Sequence, residues 1–220
     1  RRNSVATFAN VDWNISNDLI IAAGLRYTKD TAKFRGENID SDPWGLSVFE
    51  TTFKTKANFS WDREFDDSDL SGKLALQYFV NDNLNVFTSV STAYRGGGFD
   101  GTSIFSEEET QPFESEQVLA YEAGARFVTD NINLTFDLFA YDFEELQATA
   151  RLSNDTNGRT NVGEATVRGA EASLALTLYE TNNHKVTFNT AGTYLDTEIT
   201  EFSSNRVNDV TNTIGDPLPG

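Results

Sequence analysis

Cysteine is absent from the 220 residues, which removes disulfides, thiolate nucleophiles and cysteine-based zinc sites together. Histidine occurs once, as His184 in "ETNNHKV". A lone imidazole in a polar, turn-like stretch lacks the partners of a metal centre or an acid–base pair, so His184 reads as a turn residue. Long apolar runs are missing too: the longest clean one is "LIIAAGL", Leu19 to Leu25. A membrane helix needs about 20 such residues, whereas a spanning β-strand needs only about 9–11 with one apolar face. Mean hydropathy of −0.44 therefore excludes helical membrane proteins and leaves barrels open. Basic charge is scarce, with 17 Lys and Arg against 34 Asp and Glu and a net charge of −17. That balance argues against nucleic acid as a partner, because such binding rests on cations neutralising phosphates.

What is present is period-two alternation throughout, with no helical period. In "LIIAAGLRYT", Leu19, Ile21, Ala23, Leu25 and Tyr27 share one face, and Arg26 and Thr28 the other. The same pattern runs through "LSGKLALQYF", "LNVFTSVSTAYR", "EQVLAYEAGARF", "INLTFDLFAY" and "GAEASLALTL", and less cleanly through "VATFANVDWNI" and "VTFNTAGTYL". This predicts an all-β, antiparallel chain of about eight strands forming a single unit over 1–220.

Connection lengths alternate as well. Short Asn/Asp-rich turns fall at 16–18, 81–83, 129–131 and 181–184; long polar links fall at roughly 29–69, 100–115 and 151–165, with a tail from about 200. Short-long alternation is the pattern of an up-and-down transmembrane β-barrel with short inner turns and long outer loops. The first long link, around "VFETTFKTKANFSW", can itself form a loop hairpin. Aromatics on the apolar faces fall at two levels. Trp13, Tyr78 and Phe127 lie near short turns, and Tyr27, Tyr94, Tyr121 and Tyr194 near long links, as two interfacial girdles would require. Aromatics are also simply common in strands. The opposite faces carry Arg26, Lys73, Arg95, Glu122, Arg126, Asp137 and Glu171, candidates to line a polar lumen. In a soluble sandwich the same charges would face water and the apolar faces would form a core. Alternation satisfies both architectures; the connection lengths and the aromatic levels favour the barrel.

The stretch "AYRGGGFDGT" invites comparison with phosphate-binding loops, but it opens no helix and lacks the Lys-Ser/Thr of a P-loop. It reads as a strand end where glycine permits close backbone approach, with Gly96, Gly97, Gly98, Phe99 and Asp100 as candidate outer-rim or ligand-vestibule residues. Glu144-Glu145 alternate in direction and make a poor dyad, and the "EEE" and "DREFDDSD" runs read as solvated loop charge. "NDTNGRTN", 154–161, reads as an Asn-Gly turn. No catalytic constellation, metal site or cofactor site emerges, so the expectation is a protein that is not an enzyme.

In order along the chain, "GLRYT", "LSGKLALQYFVNDNLNVFTSVSTAYRGGGF", "YEAGARF", "FDLFAYDFEELQ", "NVGEATVRGAEAS" and "GDPLPG" resemble the barrel of TonB-dependent outer-membrane receptors. The matching positions are Tyr94 to Phe99; Tyr121, Glu122 and Gly124; Tyr141 to Gln147; and Asn161, Gly163, Ala165, Gly169 and Glu171. The resemblance implies a middle section of a barrel of about 22 strands in the outer membrane of a Gram-negative bacterium. It also implies a plug domain and TonB-contacting segment encoded elsewhere in the parent, and surrounding lipid and lipopolysaccharide. The implied cargo is a small scarce nutrient, a ferric siderophore being the commonest in the family. The rival expectations are a passive porin-like or small closed barrel, and a soluble glycan-binding or adhesin sandwich. A cut-out section would leave open strand edges and is expected to fold poorly in water.

Overall fold

In a computed structural model, the described residues are 1–41, 48–52, 58–101, 104, 106–151, 157–202 and 215. Eight long antiparallel strands form one sheet in simple sequential order: β1 (Arg2–Asn14), β2 (Leu19–Asn38), β3 (Phe59–Phe79), β4 (Leu84–Arg95), β5 (Glu116–Val128), β6 (Ile132–Glu144), β9 (Gly163–Glu180) and β10 (Lys185–Phe202). A separate hairpin of β7 (Gln147–Arg151) and β8 (Asn157–Asn161) sits in the connection between β6 and β9. A five-residue helix, α1 (Val48–Thr52), lies between β2 and β3, and a 3-10 turn spans Glu108–Thr110. Among the described residues β1 pairs only with β2 and β10 only with β9, so the sheet is open and not a small closed barrel. The expected alternative of a two-sheet sandwich also fails, because among the described residues no second large sheet covers either face.

The short turns fall where the Asn/Asp-rich stretches predict them. Asn81 Oδ1 accepts from the amides of Asn83 and Leu84 at 2.9 and 3.0 Å, an Asx-type closure. Thr129 Oγ1 does the same for Ile132 at 3.0 Å. His184 closes the last turn, donating its amide to Thr181 Oγ1 at 3.2 Å and accepting from the Thr181 amide at 2.7 Å.

The long links differ from the sequence reading. Residues 29–38 and 59–69 are not an irregular polar link; β2 and β3 run on as one paired hairpin, Asn38 opposite Phe59, for 20 and 21 residues. Of the stretch 48–61 expected to form a loop hairpin of its own, Val48–Thr52 is the helix α1 and 59–61 opens β3, while 53–57 lies outside the described residues. Likewise, Asn157 and Gly158 open strand β8 rather than making a turn. "DREFDDSD" is strand, not loop. Glu109 is buried at 6% exposure, with its carboxylate accepting from the Ser106 amide at 2.9 Å, so the "EEE" run is only partly solvated.

Register sorts the paired residues of the sheet onto two faces. One cross-strand row reads Trp13, Ile21, Leu76, Thr88, Ala123, Leu138, Ala170 and Tyr194 across all eight strands without a charge. We call this the outer face. Its large apolar side chains are left uncovered, Leu25 at 61%, Leu74 at 54% and Leu138 at 48%. The neighbouring row on the other face reads Asn14, Ile20, Gln77, Phe87, Gly124, Asp137, Glu171 and Thr193, and is largely polar. No helix among the described residues is long and apolar enough to cross a membrane, which says nothing about strands.

Candidate functional site

By register Arg26, Lys73, Glu122, Arg126, Asp137 and Glu171 share the inner face, while Arg95 sits at the end of β4, where Tyr94 and Gly96 on either side of it already enter the inner cluster. Lys73 lies opposite Gly24 and Ser91; Arg26 opposite Ser71. Glu122 lies opposite Ser89, Arg126 opposite Asn85, and Asp137 directly opposite Glu171; Arg95 pairs with Glu116 at the end of β4. Their surroundings are polar. Tyr141 donates its hydroxyl to Glu122 Oε1 at 3.0 Å, and Ser89 donates to Oε2 at 3.4 Å. Thr135 and Ser173 share a hydrogen bond of 2.5 Å, Gln77 donates to Asn85 at 3.3 Å, and the Arg126 guanidinium lies 5.1 Å from the Phe87 ring centre. Asp137 and Glu171 are like charges at directly opposite positions on adjacent strands, a pairing that disfavours the sheet when unscreened.

Toward the long connections, a cavity of about 620 Å³ opens on the same face, lined by Arg2, Arg26, Asp30, Lys73, Tyr94 and Gly96 among others. Asp30, buried at 4% exposure, accepts at Oδ2 from the Arg2 guanidinium at 3.0 Å and from the Tyr94 hydroxyl at 2.8 Å. In a flat sheet β1 and β4 would stand three strand spacings apart, about 14 Å. Yet the Arg2 guanidinium crowds Gly96 so closely that a Cβ there would collide with it. The strands therefore curl toward the inner face. Asp30 lies beyond the apolar part of β2. Burial raises its carboxyl pKa, but hydrogen bonds from Ser4, Tyr94 and Arg2 outweigh this and hold it below the ordinary carboxylate value.

Tyr94 corrects the sequence reading. Strict alternation puts it on the outer face with Tyr27 and Tyr121. Instead its hydroxyl enters the inner cluster; β3 and β4 pair only as far as Lys73 and Ser91, so beyond Ser91 the end of β4 is held on the β5 side alone. Trp13, Tyr27, Tyr78, Tyr121, Phe127 and Tyr194 do stand on the outer face by register, and Trp13 and Tyr194 are exposed at 64% and 70%.

The glycine segment becomes a packing junction. Gly97 is pressed against the Phe113 carbonyl and the Phe65 ring, leaving no room for a Cβ. Gly98 and Phe113 exchange two backbone hydrogen bonds of 2.9 and 2.8 Å. Phe99 stacks on Phe34 at 5.2 Å, and Phe34 in turn meets Trp61 at 5.5 Å. Asp100 accepts from the Arg159 amide at 3.1 Å.

A switch in which face is apolar separates two levels. From Leu19 to Tyr27 the outer face is apolar; from Lys29 onward it carries Lys33 paired with Glu64 at 2.8 Å and Arg35 paired with Asp62 at 2.7 Å. Across the same boundary the inner face changes from Arg26, Thr28 and Asp30 to Ala32, Phe34 and, on β3, Phe65 and Trp61. Sequence reasoning assigned no role to Arg2, Asp30, Glu116, Gln147 or Asn161. The last two lie in segments that resembled the receptor family, which is the signal that could have drawn attention to them.

An open, sequentially paired sheet with one uncovered apolar band and one polar face is the wall of an outer-membrane-type β-barrel. The chain belongs to the TonB-dependent receptor-like β-barrel family, whose model matches residues 1–220. Members of this family are barrel receptors and transporters of the Gram-negative outer membrane, not enzymes. Among curated relatives, the pesticin receptor of Yersinia pestis is 22% identical over 173 residues, 76% of this chain and 23% of that protein. Among solved structures, the ferric yersiniabactin uptake receptor FyuA of Yersinia pestis superposes with a TM-score of 0.71 at 18% identity, over 93% of this chain and 28% of that one. The siderophore receptor PiuA of Acinetobacter baumannii gives 0.62 at 17% identity, over 91% and 26%. The copper transporter OprC gives 0.64 at 13% identity, over 90% and 30%. The chain thus spans under a third of the length of each of these relatives.

Proposed function

We propose that this chain is a wall section of an energised outer-membrane receptor that takes up a ferric siderophore. The observation that carries the reading is the face switch at Tyr27 and Lys29. Below it an apolar outer face suits lipid over a stretch matching the ~9–11 residues of a tilted spanning strand. Above it, the β2–β3 hairpin extends with a charged outside and an aromatic inside. Such a wall has an inside to fill and an outside to immerse. Similarity to siderophore receptors supports the cargo class.

In this reading Arg26, Lys73, Arg95, Glu122, Arg126, Asp137 and Glu171 line the lumen, where they face a plug domain supplied by the rest of the parent protein. Trp13, Tyr78 and Phe127 form one interfacial girdle and Tyr27, Tyr121 and Tyr194 the other, against outer-membrane lipid and lipopolysaccharide. Gly96 to Asp100 shape the entry vestibule rather than grasp the cargo, since each is engaged in packing or a hydrogen bond. Energy would come through the TonB complex.

The test is iron uptake by the full-length parent protein, expressed in a Gram-negative strain stripped of its own siderophore receptors. Radiolabelled iron offered with a panel of catecholate, hydroxamate and phenolate siderophores should enter with at least one of them, and entry should cease when TonB is deleted. Uptake that persists without TonB would instead indicate a passive pore. TonB-dependent uptake of free copper with no siderophore active would move the cargo elsewhere.

A further inference from the structure

Two outer connections meet at one side chain. Gln147, the first residue of β7, is 8% exposed. Its amide donates to Glu116 Oε2 at 2.7 Å. Its side-chain Nε2 faces three carbonyls: Glu114 at 3.0 Å, Arg95 at 3.2 Å and Gly96 at 3.4 Å. The two hydrogens of an amide nitrogen are shared among them. Asn161, opposite Gln147 in the β7–β8 register, accepts from the Glu114 amide at 2.8 Å and donates to the carbonyls of Glu114 at 3.1 Å and Glu145 at 2.7 Å. Further along the hairpin, the Arg159 amide donates to Asp100 and its guanidinium lies 5.9 Å from the Phe113 ring centre.

The base of the hairpin is therefore bonded to both arms of the β4–β5 connection, the outgoing arm at 95–96 and the returning arm at 114–116. None of these bonds is needed for β7 to pair with β8, which is complete through the backbone from Gln147–Asn161 to Arg151–Asn157. They concern the neighbour, not the hairpin.

We propose that Gln147 and Asn161 staple the base of the β4–β5 connection, 95–98 with 113–116, to the base of the β6–β9 connection, 145–147 with 161–162, into one rigid wall, so that the two bases loosen together. The staple deepens the uptake reading: both would be a single side of the vestibule, with Gln147 as its positioning residue. The chemistry is directional. Gln147 supplies donors to a nest of carbonyls, so a carboxylate in its place would set acceptor against acceptor, beside the Glu116 carboxylate.

The test is amide hydrogen exchange on the full-length protein in detergent micelles, which needs no cargo and so stands apart from the uptake assay. Gly98 and Phe113 report on one connection through their mutual backbone bonds; Leu146 and Val162 report on the other through theirs. In Gln147→Glu all four should exchange faster by a similar factor, about tenfold or more, while Ala125 and Phe136 in the mid-sheet stay unchanged. Asn161→Ala, a milder change, should give the same paired response at smaller size and covers the case in which Gln147→Glu fails to assemble. Faster exchange in one connection with the other still protected, or no change in either, would overturn the staple.

Discussion

The lower and upper halves of the β2–β3 hairpin are built from the same alternation with opposite sense. In the lower half Leu25, Leu74 and Leu76 point outward and stay exposed, while Lys73 and Arg26 point inward. In the upper half Phe34, Phe65 and Trp61 point inward and pack, while Lys33, Arg35, Asp62 and Glu64 point outward. One continuous pair of strands thus passes from a setting in which the outside is apolar to one in which the outside is water. The contrast shows that the solvent on each side decides which face is apolar, and that strand geometry itself is indifferent to it.

The comparison predicts that the same substitution has different costs in the two halves. Leu76→Lys, in the charge-free outer row, should destabilise the full-length protein in bilayers by about 2–4 kcal/mol. Thr31→Lys, on the same face of the upper half and opposite Asp66, should leave stability nearly unchanged. Denaturant titration after refolding into vesicles measures both; equal costs would dissolve the distinction. Next in size is Gly97→Val. Its side chain has no room beside the Phe113 carbonyl and Phe65, so overpacking of about 1–3 kcal/mol should appear as faster exchange at Gly98 and Phe113.

A smaller and more local effect is expected from Phe34→Ala. It strips the stack on Phe99 and the contact with Trp61, at about 1–2 kcal/mol, less than a fully buried Phe→Ala because the site is only partly buried. Protease sensitivity should rise within the upper hairpin and not in the sheet below. Acid should act on the boundary between the halves. The Asp30 pKa is lower folded than unfolded, so its stabilising contribution is present above the unfolded value and disappears as pH falls through the folded one. Protection at the β1–β2 rim, taken relative to the intrinsic exchange rate at each pH, should therefore fall below about pH 4, and Asp30→Asn should remove that dependence. Least of all, breaking the exposed Lys33–Glu64 pair with Lys33→Gln should shift the melting temperature by no more than the measurement error.

Much of this was legible in the residues. The eight sheet strands and their four short turns follow from period two and turn chemistry, and parity keeps Arg26, Lys73, Glu122, Arg126, Asp137 and Glu171 on one face from strand to strand. The upper hairpin was not legible as strand. From Lys29 to Asn38 the alternation persists but its apolar members change face, so a template seeking apolar residues at Tyr27 plus two finds Lys29 and stops. Tyr94 escaped for a related reason. Parity predicts direction only where both neighbours hold the strand, and β3 parts from β4 after Lys73. Gln147 and Asn161 look like ordinary loop-edge amides until the connections fold onto one another.

By itself the sequence determined the all-β alternation, the turns at Asn81, Thr129 and Thr181, and an outer face too apolar for water yet too interrupted for a helix. Those are local properties, set by side-chain period and turn chemistry within a few residues. Only the tertiary structure decided that Arg2, Asp30, Tyr94 and Gly96 converge, that Gly97 leaves no space for a side chain, and that Gln147 reaches three carbonyls from another connection. These contacts join residues far apart in the chain. They depend on how strongly eight strands curl toward one face, a property of the whole sheet that no single segment encodes.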